Sequence, residues 1–166
     1  MDANFYAQLW PGLLANLIGG VVLTGFFFLL KERLFPLPEL TGVWECEQHT
    51  VWSAYGPYKG MKVTYQVVLL QGKNSVIGDG EKDREDGANG ILNYTGSGRT
   101  HIVVKGTVEK LFTKPDRIRI QWTENGQRIS STIHHLQVTK NSKRLSGEFF
   151  STAGRCSGNA TWTRVS

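Results

Sequence analysis

Side chains able to do chemistry are few in this chain, and they are scattered. His134 and His135 are adjacent. In an extended segment neighbouring imidazoles point to opposite faces, so these two cannot readily share a metal or a proton. Cys46 and Cys156 are the only thiols, and no C-x-x-C or His/Cys cluster accompanies them. Both fall where strands are expected and could pair, whereas a cytoplasmic location predicts free thiols. The charged run Asp79–Asp86 lacks the spacing and the terminal Glu of a calcium loop and reads as a solvated hairpin loop. There is no G-x-S-x-G, no H-E-x-x-H, no Walker loop and no G-x-G-x-x-G after a strand. The sequence therefore predicts no enzyme, no metal and no cofactor.

What remains is recognition. Arginine grips an anionic group with a planar fork, and a Tyr or His ring stacks on a flat base. Tyr65, Tyr94, Arg119, Arg128, His134 and Arg155 are the strand and turn residues that could clamp a small anion in this way. For each, solvent exposure or core packing is the plain alternative. The chain carries 19 Lys and Arg against 14 Asp and Glu, a net charge of +5. Setting aside Lys31, Arg33, Asp2 and Glu32 leaves 17 basic residues against 12 acidic, still +5. That excess suits an anionic ligand or lipid headgroups. No duplex nucleic acid is expected as a partner.

These residues need elements to position them, and the first element is apolar. Leu9–Leu30 runs 22 residues without a charge. At ~1.5 Å per residue a helix of that length covers the ~30 Å hydrocarbon core of a bilayer. A cleaved signal peptide is the competing reading. However, the preceding flank carries Asp2 and no Lys or Arg, and the run ends in FFFLLKER rather than at a small-x-small site. Lys31 and Arg33 follow the helix and no basic residue precedes it, so the C-terminal side is expected in the cytoplasm and the N-terminus outside. Tyr6 and Trp10 suit the outer interfacial belt. Gly12, Asn16, Gly20 and Thr24 recur at i+4 as one small and polar stripe, a face that would let copies of the helix associate.

Residues 35–39 (FPLPE) form a short extended linker, and residues 40–166 form the second domain. There the periodicity switches to two. Strands are expected at Leu40–Cys46, Lys62–Gln71, from Ser75 to about Gly78, Ile91–Thr95, Thr100–Phe112, Arg117–Glu124, Arg128–Thr139, Leu145–Thr152 and Gly158–Val165. Gly96-Ser-Gly98, Lys114-Pro-Asp116, Asn125-Gly126 and Lys140–Lys143 supply hairpin turns. About eight short strands with no helical period predict an antiparallel meander closed into a β-barrel, which removes exposed edges. A β-sandwich is the alternative. Trp44, Trp122 and Trp162 are expected in the barrel core.

The ends of this domain carry recognisable motifs. Leu40-Thr-Gly-Val-Trp44 opens it. Leu145-Ser-Gly-Glu-Phe-Phe-Ser-Thr152, Arg155-Cys-Ser-Gly158 and a last strand ending Thr163-Arg-Val165 close it. The L-x-G-x-W strand, with an L-x-G-x-aromatic-aromatic-[ST] hairpin leading through R-x-x-G, resembles the transmembrane β-strand-rich effectors of bacterial CBASS antiphage systems. The resemblance implies an N-terminal membrane region and a cytoplasmic β-barrel. It implies that a cyclic nucleotide, made by a cyclase in response to phage, binds the barrel, and that the effector then oligomerises and damages the inner membrane. It implies Ser151, Thr152 and Arg155 as ligand contacts. One departure stands out: the family typically has two membrane helices, and here there is room for one.

The leading expectation is thus a single-pass protein of the bacterial inner membrane. Its partners would be a cyclic di- or oligonucleotide second messenger, the lipid bilayer and further copies of itself. A lipocalin-like tethered protein for a small apolar ligand and a docking subunit of a membrane complex are the alternatives.

Overall fold

The computed structural model describes residues 3–34, 36–111, 114–126, 129–139 and 143–165, in two compact units, Met1–Pro36 and Leu37–Ser166. In the first unit, helix α1 spans Ala3–Leu34. Its Trp10–Leu30 segment, 21 residues, is long and apolar enough to cross a membrane. Leu17, Ile18, Val21, Val22, Phe27 and Leu29 are all exposed on it. Water would penalise that apolar surface at ~25 cal/mol per Å², and a lipid environment would not. Thr24 Oγ1 donates to the Gly20 carbonyl (2.7 Å) and so meets its need within its own helix. Asn16, Gly20 and Thr24 line a shallow groove with Leu17, Val21, Gly25 and Phe28.

Among the described residues the second unit has nine antiparallel strands: β1 (Gly42–Trp52), β2 (Lys62–Gly72), β3 (Ser75–Gly87), β4 (Gly90–Asn93), β5 (His101–Glu109), β6 (Arg117–Asn125), β7 (Ile129–Val138), β8 (Arg144–Ser151) and β9 (Cys156–Arg164). β1 pairs with both β2 and β9, and β2 pairs with β3, so eight strands close in the order β1-β2-β3-β5-β6-β7-β8-β9. β4 lies outside the ring and, among the described residues, pairs only with β3. This is the closed antiparallel barrel that the alternation predicts. The sandwich reading falls, because one continuous sheet returns to its own first strand.

Alternation explains the wall. In β2, Val63, Tyr65, Val67 and Leu69 are buried while Gln66, Val68 and Leu70 face out. Trp44, Trp122 and Trp162 all point into the interior and are essentially inaccessible.

Two expectations need correction. The run Asp79–Asp86 is not a loop: β3 continues through it to Gly87, paired with β2 on one side and with β5 and β4 on the other. After Val76 the inward positions of β3 are Gly78, Gly80 and Lys82, so an apolar period-two pattern has nothing to display there. A Cβ on Gly80 would lie 2.5 Å from the Gln66 carbonyl oxygen, and one on Gly147 would collide with the His135 carbonyl. Glycine lets the wall turn sharply at these points. The second correction is to β1, which runs past Cys46 to Trp52.

Candidate ligand-binding site

The barrel differs along its axis. At the end where β1 begins, Leu40, Trp44, Leu69, Ile118, Leu145 and Trp162 fill the interior. Trp44 Nε1 donates to the Leu40 carbonyl (2.8 Å). The Arg164 guanidinium lies 5.9 Å from the Trp44 ring and donates to the carbonyls of Glu39 and Thr41. This end is closed.

A ring layer follows. His134 is fully buried, with Trp122 at 4.3 Å, Trp162 at 5.6 Å and Phe149 at 6.1 Å between ring centroids. Trp162 Nε1 donates to His134 Nδ1 (3.3 Å). An indole N–H can only donate, so Nδ1 is the acceptor and Nε2 carries the proton of the neutral ring. The Gln48 side-chain amide sits 2.9 Å from Nε2. It must therefore turn its carbonyl oxygen to that N–H. Burial, with a smaller contribution from His135, pulls the His134 pKa from 6.5 to about 3, so the ring stays neutral.

Beyond this layer the interior turns polar. Thr50, Ser130, Thr132 and Ser151 are buried, and Thr132 Oγ1 donates to Ser151 Oγ (2.9 Å). Lys82 reaches inward from β3 and pairs with Glu124 and with Glu85 (2.9 Å). Tyr65 Oη donates to Glu124 Oε2 (3.2 Å). The Lys82 ammonium lies 5.8 Å from the Tyr65 ring and 5.9 Å from the Tyr94 ring, within cation–π range of both. Burial alone would lower the Lys82 pKa, but Glu124 and Glu85 outweigh it and hold the group charged. Burial, then Glu124, pushes the Tyr65 hydroxyl well up. Burial, then a hydrogen bond with Glu85, pushes Tyr94 to about 12. Arg99 stands nearby on Asp83 (3.0 Å), Glu81 (3.3 Å) and the Tyr94 carbonyl (3.2 Å).

The structure sorts the residues singled out from sequence. Tyr65, His134 and Ser151 point into the barrel, and Tyr94 borders its polar end. Thr152 and Arg155 lie in the turn between β8 and β9 at that same end, where Thr152 Oγ1 accepts the Ser131 N–H (2.9 Å). Arg119 is elsewhere. It projects from the outer face of β6 and lines, with Arg117, His135 and Glu148, an external groove of about 690 Å³. Arg128 lies outside the described residues.

Sequence reasoning missed Lys82, Glu85, Glu124 and Gln48. The signal was present as glycine at 78 and 80 followed by lysine at 82, a period-two series of small residues ending in one charge. Cys46 and Cys156 are both buried free thiols. Cys46 is opposite Trp162, six residues along β9 from Cys156. At ~3.3 Å per residue that separation is roughly 20 Å, far beyond disulfide reach.

No protein-family model matches the chain, and no curated protein does. Among solved structures, a redesigned β-barrel superimposes with a TM-score of 0.50 at 12% identity, over 76% of this chain and 92% of that one. This likeness shows the barrel fold. A redesigned β-barrel bound to DFHBI (10% identity, 75% and 94% covered, TM-score 0.47) and a de novo designed fluorescence-activating β-barrel (13%, 75% and 93%, 0.46) also align.

Proposed function

We propose that the chain is a membrane-anchored antiphage effector of the CBASS kind. In this reading the polar end of its barrel binds a cyclic di- or oligonucleotide, and binding drives self-association of α1 and disruption of the bacterial inner membrane. The observation that carries the reading is Lys82, a partly buried cation within cation–π range of the rings of both Tyr65 and Tyr94. A nucleotide offers flat bases for such rings and phosphate oxygens for such an ammonium. Glu85 and Glu124 could accept from base N–H groups. Thr152 and Arg155 stand at the same end of the barrel.

Charge sets the terms of binding. Glu81, Asp83, Glu85 and Glu124 surround Lys82 and Arg99, so the polar end is acidic before ligand arrives. A phosphate must therefore displace a carboxylate from Lys82, and only a ligand with matching base contacts offsets that exchange. An apolar, lipocalin-type ligand is opposed by the same groups, because hydroxyls and an ion pair occupy the half it would fill.

The basic flank Lys31 and Arg33 orients the barrel to the cytoplasm. Output through the helix needs differential affinity: the nucleotide must bind the associated state more tightly than the dispersed one. The small-residue stripe at Gly12, Asn16, Gly20 and Thr24 is the face on which copies would pack.

The test is calorimetry on the full chain in lipid nanodiscs against a panel of cyclic di- and trinucleotides. Binding at micromolar or tighter affinity is expected. No binding at millimolar ligand rejects the proposal. Asn16→Leu should leave that binding intact and weaken ligand-driven oligomers in detergent.

A further inference from the structure

Three indoles are buried in this barrel, and the fold treats them differently. Trp44 Nε1 has the Leu40 carbonyl and Trp162 Nε1 has His134 Nδ1. Trp122 Nε1 has no acceptor, and among the described residues it is the one fully buried side-chain nitrogen or oxygen atom in that position. An indole N–H cannot accept or lose its proton to escape, so an orphan donor there is a standing penalty. Native interiors rarely keep one unless something else supplies the acceptor.

The surroundings indicate what that something is. Trp122 is directly across from Thr132, whose hydroxyl is bonded to Ser151. The Tyr65 ring lies 4.8 Å from the Trp122 ring. One inward position nearer the polar end of β6 is Glu124, an acceptor held by Lys82 and Tyr65. A donor and a carboxylate acceptor thus follow each other along one strand, beside flat aromatic walls and buried hydroxyls.

We infer that this layer of the barrel receives a flat heterocycle whose edge carries an acceptor next to an N–H donor, with Trp122 Nε1–H donating to the acceptor and Glu124 accepting from the donor. Purine bases present such an edge. The inference rests on the nucleotide reading above and deepens it: the base enters the barrel interior while its phosphate stays with Lys82 at the rim. Glu124 then leaves Lys82 to the phosphate and to Glu85.

The experiment follows the indole N–H resonances of the full-length, ¹⁵N-tryptophan-labelled chain in detergent micelles. The chain has five Trp residues, and Trp122→Phe assigns the one that matters. The probes are cyclic di-AMP, cyclic di-GMP, free adenine and free hypoxanthine, each also titrated by calorimetry. The Trp122 resonance should move with a nucleotide that binds. Trp122→Phe should weaken that nucleotide by about tenfold, the worth of one hydrogen bond. The same variant removes part of a fully buried ring and should lower the unfolding midpoint of the ligand-free protein whatever the indole N–H does, so the affinity and the wild-type resonance are the readouts that decide.

A nucleotide that binds while the Trp122 signal stays still and Trp122→Phe binds equally well overturns this inference and spares the proposed function. Free bases that move the signal when no cyclic nucleotide binds support the inference and reject the proposed function. No response to any probe overturns both. If Trp122→Phe does not fold, the wild-type signal decides, assigned through its contacts with Thr132.

Discussion

The two ends of the barrel share the same strands yet follow different rules. At the closed end apolar side chains meet one another, and the buried indoles Trp44 and Trp162 have hydrogen-bond acceptors. At the polar end the same alternation brings in hydroxyls, the Lys82–Glu124–Glu85 cluster and, just beneath, an unpaired indole N–H. Burial of Trp, Leu and Ile supplies stability, whereas charge taken out of water is a poor stabiliser. Apolar packing and polar, charged groups are thus separated along the barrel axis, with His134 at the boundary.

The largest effect should fall at the closed end. Trp162→Ala empties a fully buried site and strands His134 Nδ1 without its donor, so a loss of about 3–5 kcal/mol is expected by urea unfolding. Ser130→Ala, at the polar end, should change stability by under about 1 kcal/mol. Equal losses from the two would erase the distinction between the ends.

Next in size is acid sensitivity at the boundary. The His134 pKa is about 3 in the fold against 6.5 for an ordinary imidazole. Between those values the unfolded chain takes up a proton and the folded one does not. The stability this ring contributes is therefore complete above about pH 6.5 and is lost progressively as pH falls toward 3. At ~1.4 kcal/mol per pH unit, about 2 kcal/mol should be gone by pH 5. Urea midpoints across that range, with the imidazole resonance followed in the folded state, check it. An imidazole that titrates near 6.5 while the protein stays folded would contradict the buried, neutral assignment.

The ends also differed in how far they could be read from sequence. The closed end was legible because Val67 and Leu69 alternate with the outward Gln66, Val68 and Leu70, and because Trp44 and Trp162 are too large to leave exposed. The polar end was not. Gly78, Gly80 and Lys82 occupy inward positions of β3 without an apolar side chain among them, so Asp79–Asp86 reads as solvated loop. Lys82 lies within that acidic run, and its partner Glu124 is 42 residues away on β6. Only the pairing of β3 with β5, and of β5 with β6, joins them. Arg119 was singled out by residue type, although the alternation of Ile118, Ile120 and Trp122 with it already assigns it to the outer wall.

A middling effect is expected from the ion pair itself. Lys82→Met leaves Glu124 and Glu85 facing each other without their cation, at a cost of about 2 kcal/mol. Lys82→Met with Glu124→Gln should recover most of that, because an uncharged pair no longer needs the match. Ligand binding should be lost in both. If the double variant regains binding together with stability, Lys82 is a structural cation and not the phosphate site.

The smallest expected effect tests inside against outside. Arg119 stands exposed on the outer wall beside His135 and Glu148, and no strand carries it toward Tyr65 or Lys82. Arg119→Ala should move stability by less than about 0.5 kcal/mol, as surface substitutions do, and nucleotide affinity by less than about twofold. Arg155 is also exposed, but it sits in the turn leading from Ser151 at the polar end. Arg155→Ala should weaken binding several-fold by removing one exposed charge contact, about 1 kcal/mol. The reverse ranking would move the ligand out of the barrel to the groove between β5 and β8, where Arg117 and Arg119 would grip phosphate and His135 would stack. Two arginines of similar exposure then separate the alternatives by position alone, with neither substitution disturbing the fold.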